Sequence, residues 1–369
     1  MSASNGKVPT KVQAPKRPKR PRKRNHILVI GGAGYLGSVL IRQLLGRGYS
    51  VTVMDALMYG DDSIRDLYGR PDFDVVRGDL RDIEALVSAS HHADAVVHLG
   101  ALVGDPACAF DEQLATEINL EATKKIAAVA RGLGIERLVF ASTCGVYGAS
   151  DGVLNEDSPL DPVSLYARTK LDSEAFLLSL NGRRFVPVLL RFGTFYGASP
   201  RPRFDLVVNL LVAKAISEGH ITIFGGSQWR PFIHVADGAQ AIIRCLEAPA
   251  RRLERRVFNV GSDEQNHTLM EIAGIIAAAV PGARVEFAAE AADEANYRVS
   301  FARIKDALGF RPTHTLVDGV RELKEAIEQG AVGDYGDSRY SNIKSLATGE
   351  SARALEGNPA QLALTGGVA

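Results

Sequence analysis

A glycine-rich stretch, Gly31-Gly32-Ala33-Gly34-Tyr35-Leu36-Gly37, constrains the fold more than any other feature of this chain. It stands between a short apolar run at residues 27–30, typical of a buried strand, and a helix-spaced apolar pattern at residues 36–45. Glycine is needed where the backbone turns tightly, approaches a pyrophosphate and lets a helix pack on a strand. Because the start of a helix favours an anion, the stretch predicts a strand–turn–helix unit that binds a dinucleotide.

The first half of the chain alternates short apolar runs with helical stretches. Near-continuous apolar runs are typical of parallel strands that are covered on both faces. The predicted strands are residues 27–30, 51–54, 75–76, 95–98, 138–141 and 186–190, and the predicted helices are 36–45, 83–88, 115–131 and 167–180. The alternation predicts an α/β fold of the Rossmann type, with a doubly wound parallel sheet.

The second half is more mixed, and its helical stretches are residues 204–217, 236–246, 269–279 and 316–329. We expect it to form a smaller, discontinuous α/β lobe that binds the substrate. The expected division is residues 26–192 mainly for the dinucleotide-binding Rossmann domain and residues 193–330 mainly for the substrate-binding lobe, with exchanged segments. Residues 331–369 turn polar and glycine-rich, which predicts a loosely ordered C-terminal tail.

The N-terminus, residues 1–25, is predicted to be a disordered basic tail. Nine basic residues lie between Lys7 and Arg24, whereas the first acidic residue is Asp55. Such a run cannot bury apolar surface. It could contact nucleic acid, an anionic surface or a nuclear import factor, or it could have no partner; the pattern favours the last, so no nucleic-acid partner is expected.

Composition indicates an ordinary globular protein, with 46 % apolar and 23 % charged residues. No apolar run approaches the ~20 residues that cross a bilayer, and no secretory signal is recognisable. The three cysteines, Cys108, Cys144 and Cys245, lack metal-ligand spacing, so we expect no metal site. Their odd number suits a reducing cytosol, and the chain is therefore expected to be cytoplasmic.

Asp55 ends the second predicted strand, where a carboxylate accepts hydrogen bonds from the adenosine ribose. It would repel a 2′-phosphate, and residues 56–60 contain no Arg or Lys to offset it. The position therefore predicts NAD rather than NADP. The turn after the third strand places Asp79 and Leu80 near the adenine, while Asp82 is interpreted as a helix cap.

Tyr166 and Lys170 begin a predicted helix, and their spacing puts the phenol and the ammonium on one helical face. A tyrosine with a pKa of about 10 is a poor base, but a nearby cation favours its phenolate. The positive nicotinamide ring would add to this effect. The position of the pair, one βα unit after Ser142-Thr143 at the end of a predicted strand, strengthens its interpretation as a catalytic pair.

Together, the glycine stretch, the Val97-His98-Leu99-Gly100-Ala101 strand end, Ser142-Thr143 and the Tyr166/Lys170 pair resemble the extended short-chain dehydrogenase/reductase family. The resemblance runs from about residue 26 to about residue 329. This family includes NAD-dependent nucleotide-sugar epimerases, dehydratases and decarboxylases. The motifs are specific to the superfamily and not to one substrate.

The resemblance implies a role for individual residues. Tyr166 would be the general base, Lys170 its electrostatic partner and a ligand of the nicotinamide ribose, and Thr143 a hydrogen-bond partner of the reacting sugar hydroxyl. Asn119 matches a family asparagine near the nicotinamide, although satisfying a helix terminus is an equal alternative. The remaining cofactor contacts implied are Gly31, Gly34, Tyr35, Leu36, Gly37, Asp55, Asp79, Leu80, Leu99, Gly100 and Ala101.

Two departures from the family bear on the reaction. Sugar dehydratases of the family carry an Asp-Glu pair after the residue that matches Thr143, and this chain has Cys144 and Gly145 there. Neither residue can shuttle a proton as that pair does, so dehydration is disfavoured. Decarboxylases also tend to keep the Glu, and Cys144 is interpreted as a buried small residue rather than a reactive thiol.

On the substrate side, Arg230 resembles the family arginine that grips the nucleotide diphosphate, with a fork that suits phosphate. Pro231 replaces the Asp that usually follows, and Thr194 replaces an Asn that commonly contacts the substrate. Asn209 and Arg298 are further candidates for nucleotide or sugar contacts.

The sequence therefore predicts an NAD-dependent nucleotide-sugar epimerase that oxidises C4 transiently and acts as a homodimer. One alternative is a nucleotide-sugar 4-dehydrogenase or 4-keto reductase with net redox turnover, which needs the same residues. The other is an NAD-binding regulator or RNA-associated protein, against which the complete Thr143/Tyr166/Lys170 set counts. The nucleotide and the sugar stay open.

Overall fold

A seven-stranded parallel sheet forms the centre of the larger lobe in the computed structural model, which describes residues 25–180, 182, 184–288 and 296–347. Its order is β3-β2-β1-β4-β5-β7-β11. The strands are β1 (His26–Ile30), β2 (Ser50–Asp55), β3 (Phe73–Arg77), β4 (Ala95–His98), β5 (Arg137–Thr143), β7 (Val186–Phe192) and β11 (Val257–Val260). The first six contain the six predicted strands, and the Rossmann-type fold is confirmed.

Helices cover both faces of this sheet, which is why its strands are apolar along their whole length. On one face lie α1 (Tyr35–Leu45) and α8 (Val235–Glu247), and on the other lie α2 (Ile83–Ser90), α5 (Ala122–Gly132) and α6 (Leu165–Ser179). Two short helices, α3 (Asp105–Phe110) and α4 (Glu112–Thr116), stand between β4 and α5. Each face buries its own apolar cluster, and the carboxyl ends of the strands are left at the edge where the lobes meet.

The smaller lobe is assembled from separate pieces of the chain. Its strand pairings are β8 (Thr194–Tyr196) and β12 (Asn266–Thr268) on β10 (Trp229–His234), β9 (His220–Phe224) with β13 (Arg284–Ala288), and β6 (Val153–Leu154) with β14 (Arg298–Val299). Its helices are α7 (Val207–Ser217), α9 (Leu269–Ala279) and α11 (Leu316–Glu328), whereas α10 (Ala302–Leu308) packs against β11 of the large sheet. β6 comes from the first half of the chain and pairs with β14, and β11 comes from the second half and pairs with β7 of the large sheet.

The predicted helix at residues 115–131 is interrupted in the structure. Between α4 and α5 the chain makes one π-helical turn, Glu117–Glu121, a feature often found at functional sites. The hydroxyls of Thr123 and Ser173 both donate to the carbonyl of Asn119, at 2.7 and 2.9 Å. The two hydroxyls thus bind the π-helical turn to α5 and to α6.

The C-terminal part differs from the loosely ordered tail that the sequence predicts. A last helix, α12 (Asn342–Ala347), packs on α3, and Asn342, Ser345 and Leu346 are buried. The predicted basic tail at residues 1–24 and residues 348–369 lie outside the described residues. No helix in the described ranges is long and apolar enough to cross a membrane.

Candidate active site

A cleft of about 1310 Å³, part of it open to solvent, runs along the carboxyl ends of β1, β2, β4, β5 and β7. Most of the residues proposed from the sequence line it together: Gly31, Gly34, Tyr35, Leu36, Gly37, Asp55, Asp79, Leu80, Leu99, Gly100, Ala101, Thr143, Tyr166 and Lys170. The other five, Asn119, Thr194, Asn209, Arg230 and Arg298, are not among its lining residues. The catalytic residues and all the proposed cofactor contacts except Asn119 therefore share one cleft, whereas the proposed substrate contacts other than Thr143 do not line it.

The glycine stretch forms the floor of the cleft for steric reasons. Gly31 has a φ of +79°, and a Cβ there would lie 2.6 Å from the backbone nitrogen of Gly100. A Cβ on Gly37 would overlap the carbonyl oxygen of Gly31. Gly34 caps α1 without a side chain, so the amides of the first turn have no side-chain acceptor at that cap. This cradle fits the pyrophosphate of a dinucleotide.

Asp55 ends β2, and backbone amides hold its carboxylate. Its two oxygens accept hydrogen bonds of 2.9 Å each from Ala33 and Leu57. Burial raises the pKa of Asp55, and these two amide donors oppose the rise. Each carboxylate oxygen has a further lone pair, so the group can still accept from a ribose hydroxyl.

Arg201 is a cleft residue that the sequence argument missed. Its guanidinium carbon lies 4.1 Å from the ring centre of Tyr59, and its positive charge favours the ionised form of Asp55. Burial lowers the pKa of Arg201 to about 10, so it stays charged at neutral pH. Its Nε and Nη2 are buried and have no hydrogen-bond partner among the described residues. The absence of a basic residue at 56–60 therefore does not leave Asp55 without a cation, and the cleft can neutralise an anionic ligand.

Asp79 is fixed by an ion pair on the cofactor side. Arg81 donates to it at 2.8 Å and reaches Glu117 with its other nitrogen, also at 2.8 Å. Asp82 caps α2 by accepting from two backbone amides, so its interpretation as a helix cap is confirmed.

Thr143, Tyr166 and Lys170 meet where β5 ends beside α6. The side chain of Ser164 accepts from the amide of Ala167 and starts α6 at Leu165, which places Tyr166 in the first turn. The Thr143 hydroxyl oxygen accepts a 3.0 Å bond from the amide of Gly145, so the proton of that hydroxyl can serve another acceptor. The Lys170 ammonium donates to the Ala141 carbonyl at 3.0 Å.

Burial disfavours the charged form of both helix residues. It raises the pKa of Tyr166 and lowers that of Lys170 to about 8. From the sequence, Lys170 was expected to favour the phenolate of Tyr166. In the structure burial is the largest influence on the pKa of Tyr166, and the cation that opposes the rise is Arg203 rather than Lys170.

A buried ion pair, not identified from the sequence, lies behind this site between β7 and α6. Arg191 on β7 donates to Glu174 on α6 at 2.6 Å, and the Ser142 hydroxyl donates to the same carboxylate at 2.5 Å. Arg191 also donates to the hydroxyl of Tyr147 at 3.0 Å. The spacing of Glu174, one turn after Lys170, was the available signal. The pair fixes α6 to the strand end that carries Thr143.

Asn119 has a different place from the predicted cofactor contact. Its amide oxygen accepts from the backbone of Leu102 at 2.8 Å, and its nitrogen donates to the Leu102 carbonyl and to Thr169 at 3.0 and 3.2 Å. The side chain is buried behind the cleft wall. Its contacts connect the loop after β4 to α6, which makes it a positioning residue.

Asn209 is also held by the protein rather than exposed to the cleft. Its oxygen accepts from the amide of Gly197, and its nitrogen donates to the Arg203 carbonyl at 3.0 Å. Thr194 lies in β8, between the two cleft residues Gly193 and Phe195.

Arg230 and Arg298 form a cation–aromatic cluster in the smaller lobe. Arg230 lies 5.7 Å from the ring centre of Tyr297 and donates to the Trp229 carbonyl. Arg298 lies 5.2 Å from a Trp229 ring centre and donates to the carbonyl of Asp151. The structure thus brings together the two arginines proposed for the substrate, outside the main cleft.

Cys144 and Gly145 leave the end of β5 without an acid. Cys144 is fully buried, its thiol donates to the Arg191 carbonyl, and burial raises its pKa. It is therefore the buried small residue expected from the sequence. Among the described residues that line the cleft, the carboxylates are Asp55 and Asp79, on the cofactor side.

A Rossmann-type sheet whose glycine cradle shares one cleft with a threonine, a tyrosine and a lysine defines an NAD-dependent enzyme of the nucleotide-sugar-modifying class. Comparison with known proteins agrees with this. The model of the NAD dependent epimerase/dehydratase family matches residues 27–261, and the chain belongs to this family.

Relatives within the family carry out more than one reaction. UDP-glucose 4-epimerase of Mycolicibacterium smegmatis is 28% identical over 312 residues, which cover 81% of this chain and 97% of the relative. The structure of Thermus thermophilus UDP-glucose 4-epimerase in complex with NAD has a TM-score of 0.72 and 28% identity, covering 83% and 100% of the two chains. The dTDP-glucose 4,6-dehydratase DesIV of Streptomyces venezuelae, with NAD and TYD bound, has a TM-score of 0.74 and 26% identity, covering 83% and 98%.

Proposed function

We propose that this chain is an NAD-dependent nucleotide-sugar epimerase that works by transient oxidation of the sugar at C4. The observation that carries the proposal is the convergence of Thr143, Tyr166 and Lys170 on the cleft that holds the glycine cradle. The names of the relatives, UDP-glucose 4-epimerases among them, support it.

Each residue has a task in this reaction. Tyr166 takes the proton of the C4 hydroxyl, and Thr143 donates a hydrogen bond to the oxygen of that hydroxyl. Lys170 adds positive charge near the phenol and donates to the cofactor ribose. When bound, NAD supplies an acceptor for the hydride from C4 and then a donor that returns it. The proton returns from Tyr166, so the atoms and electrons balance and the net reaction inverts C4.

Inversion requires that the 4-keto sugar rotates to present its opposite face while its nucleotide stays bound. Arg230 and Arg298 supply the positive charge for this grip on the diphosphate, because guanidinium groups bind phosphate oxygens with two parallel hydrogen bonds. Their contacts with Tyr297 and Trp229 orient them in advance. Positioning and preorganised charge then account for the catalysis.

The end of β5 favours epimerisation over dehydration. Eliminating water from the sugar needs an acid and a base beyond the tyrosine, and Cys144 and Gly145 supply neither. A reaction that stops after one hydride transfer is the remaining competitor, since it uses the same three residues.

The test is to incubate the purified chain with a panel of UDP-, dTDP-, GDP- and CDP-sugars. Products are identified by NMR, and the redox state of the cofactor is followed by its absorbance. Epimerisation predicts an equilibrium mixture of two C4 epimers with no net NADH. Stoichiometric NADH with a 4-keto product would instead show a dehydrogenase, and NAD binding without any turnover would show a regulator.

A further inference from the structure

The C-terminal strap, which we define as residues 335–347, lies outside the segment 27–261 matched by the family model and yet reaches the active-site cleft. Its first part is fastened to the smaller lobe. The amide of Phe204 donates to the carbonyl of Tyr340 at 2.8 Å, and the rings of Tyr335 and Tyr340 pack edge-on against Phe204. The hydroxyl of Tyr335 also donates to Glu218.

The second part of the strap, α12, connects both lobes beside the catalytic tyrosine. Leu346 is buried in an apolar cluster with Leu102 and Cys108, and Tyr166 packs against this cluster. The amide of Asn342 donates to Asp205 at 3.1 Å. The strap is therefore a fixed part of the cleft wall.

Asp205 brings a further charged group to this wall. It holds the guanidinium of Arg203 through two bonds of 2.9 Å, and Arg203 lines the cleft. Arg203 and Tyr166 line the same cleft, and the charge of Arg203 opposes the rise that burial causes in the pKa of Tyr166. The strap thus meets the cleft where the sugar of a substrate would lie.

Asn342 is the strap residue that lines the cleft, and it is 5% exposed. Its Nδ2 donates to the carbonyl of Val103 at 3.3 Å. Because a carbonyl can only accept, this bond fixes the orientation of the amide and leaves Oδ1 as the remaining group. Oδ1 is buried and has no hydrogen-bond partner among the described residues. Buried acceptors in folded proteins are nearly always partnered, so Oδ1 is available to accept a hydrogen bond from a group bound in the cleft.

We propose that Asn342 is a substrate-binding residue whose Oδ1 accepts a hydrogen bond from a hydroxyl of the sugar, and that the C-terminal strap helps to select the sugar. This inference rests on the proposed function for the class of ligand. It assigns a role to a part of the chain beyond the segment that the family model matches. A sugar hydroxyl fits because Oδ1 requires a donor and because Val103 and Tyr166 stand beside the strap.

The test measures binding without turnover in the Tyr166→Phe background, with NAD saturating. Calorimetry compares Asn342→Leu, which keeps the size but removes both polar atoms, with Lys344→Ala on the exposed side of the strap. The ligands are the nucleotide sugar that the wild type turns over, the matching nucleoside diphosphate, and NAD alone. We expect Asn342→Leu to raise the Kd of the nucleotide sugar about fivefold to tenfold. The diphosphate, NAD and every Lys344→Ala value should stay within about twofold.

Leu346→Ala is the control for loosening of the strap. It disturbs the packing of α12 but keeps the Oδ1 atom of Asn342, so it distinguishes loss of the ligand contact from loss of docking. Hydrogen exchange over residues 335–347 reports the docking of the strap in each variant. The proposal is overturned if Leu346→Ala reproduces the binding pattern of Asn342→Leu with the same loss of protection. It is also overturned if Asn342→Leu weakens the binding of NAD, or weakens the binding of the diphosphate as much as that of the nucleotide sugar.

The two proposals fail in different ways. If no nucleotide sugar binds at all, both are wrong. If the wild type inverts no nucleotide sugar, the titration uses the one that binds most tightly. If its binding then depends on Asn342 as expected, only the proposed function is wrong.

Discussion

The ammonium of Lys170 lies 5.8 Å from the ring centre of Tyr166 and is tied to the Ala141 carbonyl by a 3.0 Å hydrogen bond. The lysine is therefore anchored to the end of β5 and does not form a direct ion pair with the phenol. At this distance its charge assists a phenolate without neutralising it. Both groups line the cleft, so a bound ligand can contact the phenol and the ammonium together.

Replacing Tyr166 by Phe should abolish turnover and leave NAD binding intact, because only the proton acceptor is lost. Turnover by the wild type and the variant, measured by product NMR, and NAD affinity, measured by calorimetry, check this. Tyr68→Phe, at an exposed tyrosine that does not line the cleft, is the matched control. If Tyr166→Phe kept more than about a tenth of the rate, a loss below ~1.4 kcal/mol, another group would be the base.

Lys170→Met should change how stability depends on pH. The pKa of Lys170 is about 8 in the folded protein, below the ordinary 10.5, because the ammonium is buried. Between these values the unfolded chain binds the extra proton, so this group makes wild-type stability rise with pH from about 8 to 10.5. Below pH 8 its contribution is constant.

The measurement is the melting temperature of cofactor-free wild type, Lys170→Met and the half-exposed control Lys124→Met. Relative to Lys170→Met, the wild type should gain stability between pH 8 and 10.5, by about 1.4 kcal/mol for each unit of pKa lowering. The difference in stability between the wild type and Lys124→Met should not change with pH over the same range. Parallel curves for wild type and Lys170→Met would show that the ammonium is not buried as described.

Local patterns made the cofactor side of this site predictable from sequence, whereas contacts between distant segments were not. The glycine cradle and Asp55 follow from a strand, a turn and a helix that are continuous in the chain. Arg201 and Asn342 reach the cleft only after the lobes have assembled, and no periodicity marks them. Asn119 has a residue type that suits a ligand, yet the interior of the protein uses its hydrogen bonds.

Asp55→Asn should relax the preference for NAD over NADP. The carboxylate repels a 2′-phosphate, whereas an amide of the same size carries no charge. Kd values for both dinucleotides in wild type, Asp55→Asn and the exposed control Asp66→Asn test this. We expect the ratio of the two Kd values to move toward NADP by roughly tenfold or more. An unchanged ratio would mean that another part of the cleft, such as Arg201, sets the preference.

Breaking the ion pair of Glu174 and Arg191 should destabilise the protein strongly, because both side chains are almost fully buried, with 2% and 4% exposed. Glu174→Ala leaves an unpaired guanidinium, at a cost of about 3–5 kcal/mol. The double variant Glu174→Met/Arg191→Met should recover part of this loss, since no charge is stranded. Urea unfolding of the single and double variants measures the coupling. Additive losses would show that the two groups do not depend on each other.

Arg230→Ala should weaken binding of the nucleotide sugar far more than binding of NAD. Arg230 is 8% exposed and lies over Tyr297, so its position is set before a ligand arrives. Losing a charge-assisted, two-bond contact with a diphosphate costs about 1.5–3 kcal/mol, or roughly a tenfold to hundredfold rise in Kd.

Arg230→Lys should recover little of that loss, because an ammonium cannot offer the planar fork. Arg284→Ala, at an exposed arginine of β13 in the same lobe, is the control and should leave the Kd unchanged. The decisive comparison is the nucleoside diphosphate alone, which should show the same loss as the nucleotide sugar because the sugar does not contribute to this contact. If Arg230→Ala binds both ligands normally, the proline at position 231 has redirected β10, and the positive charge that holds the diphosphate must come from the cleft itself, where Arg201 and Arg203 stand.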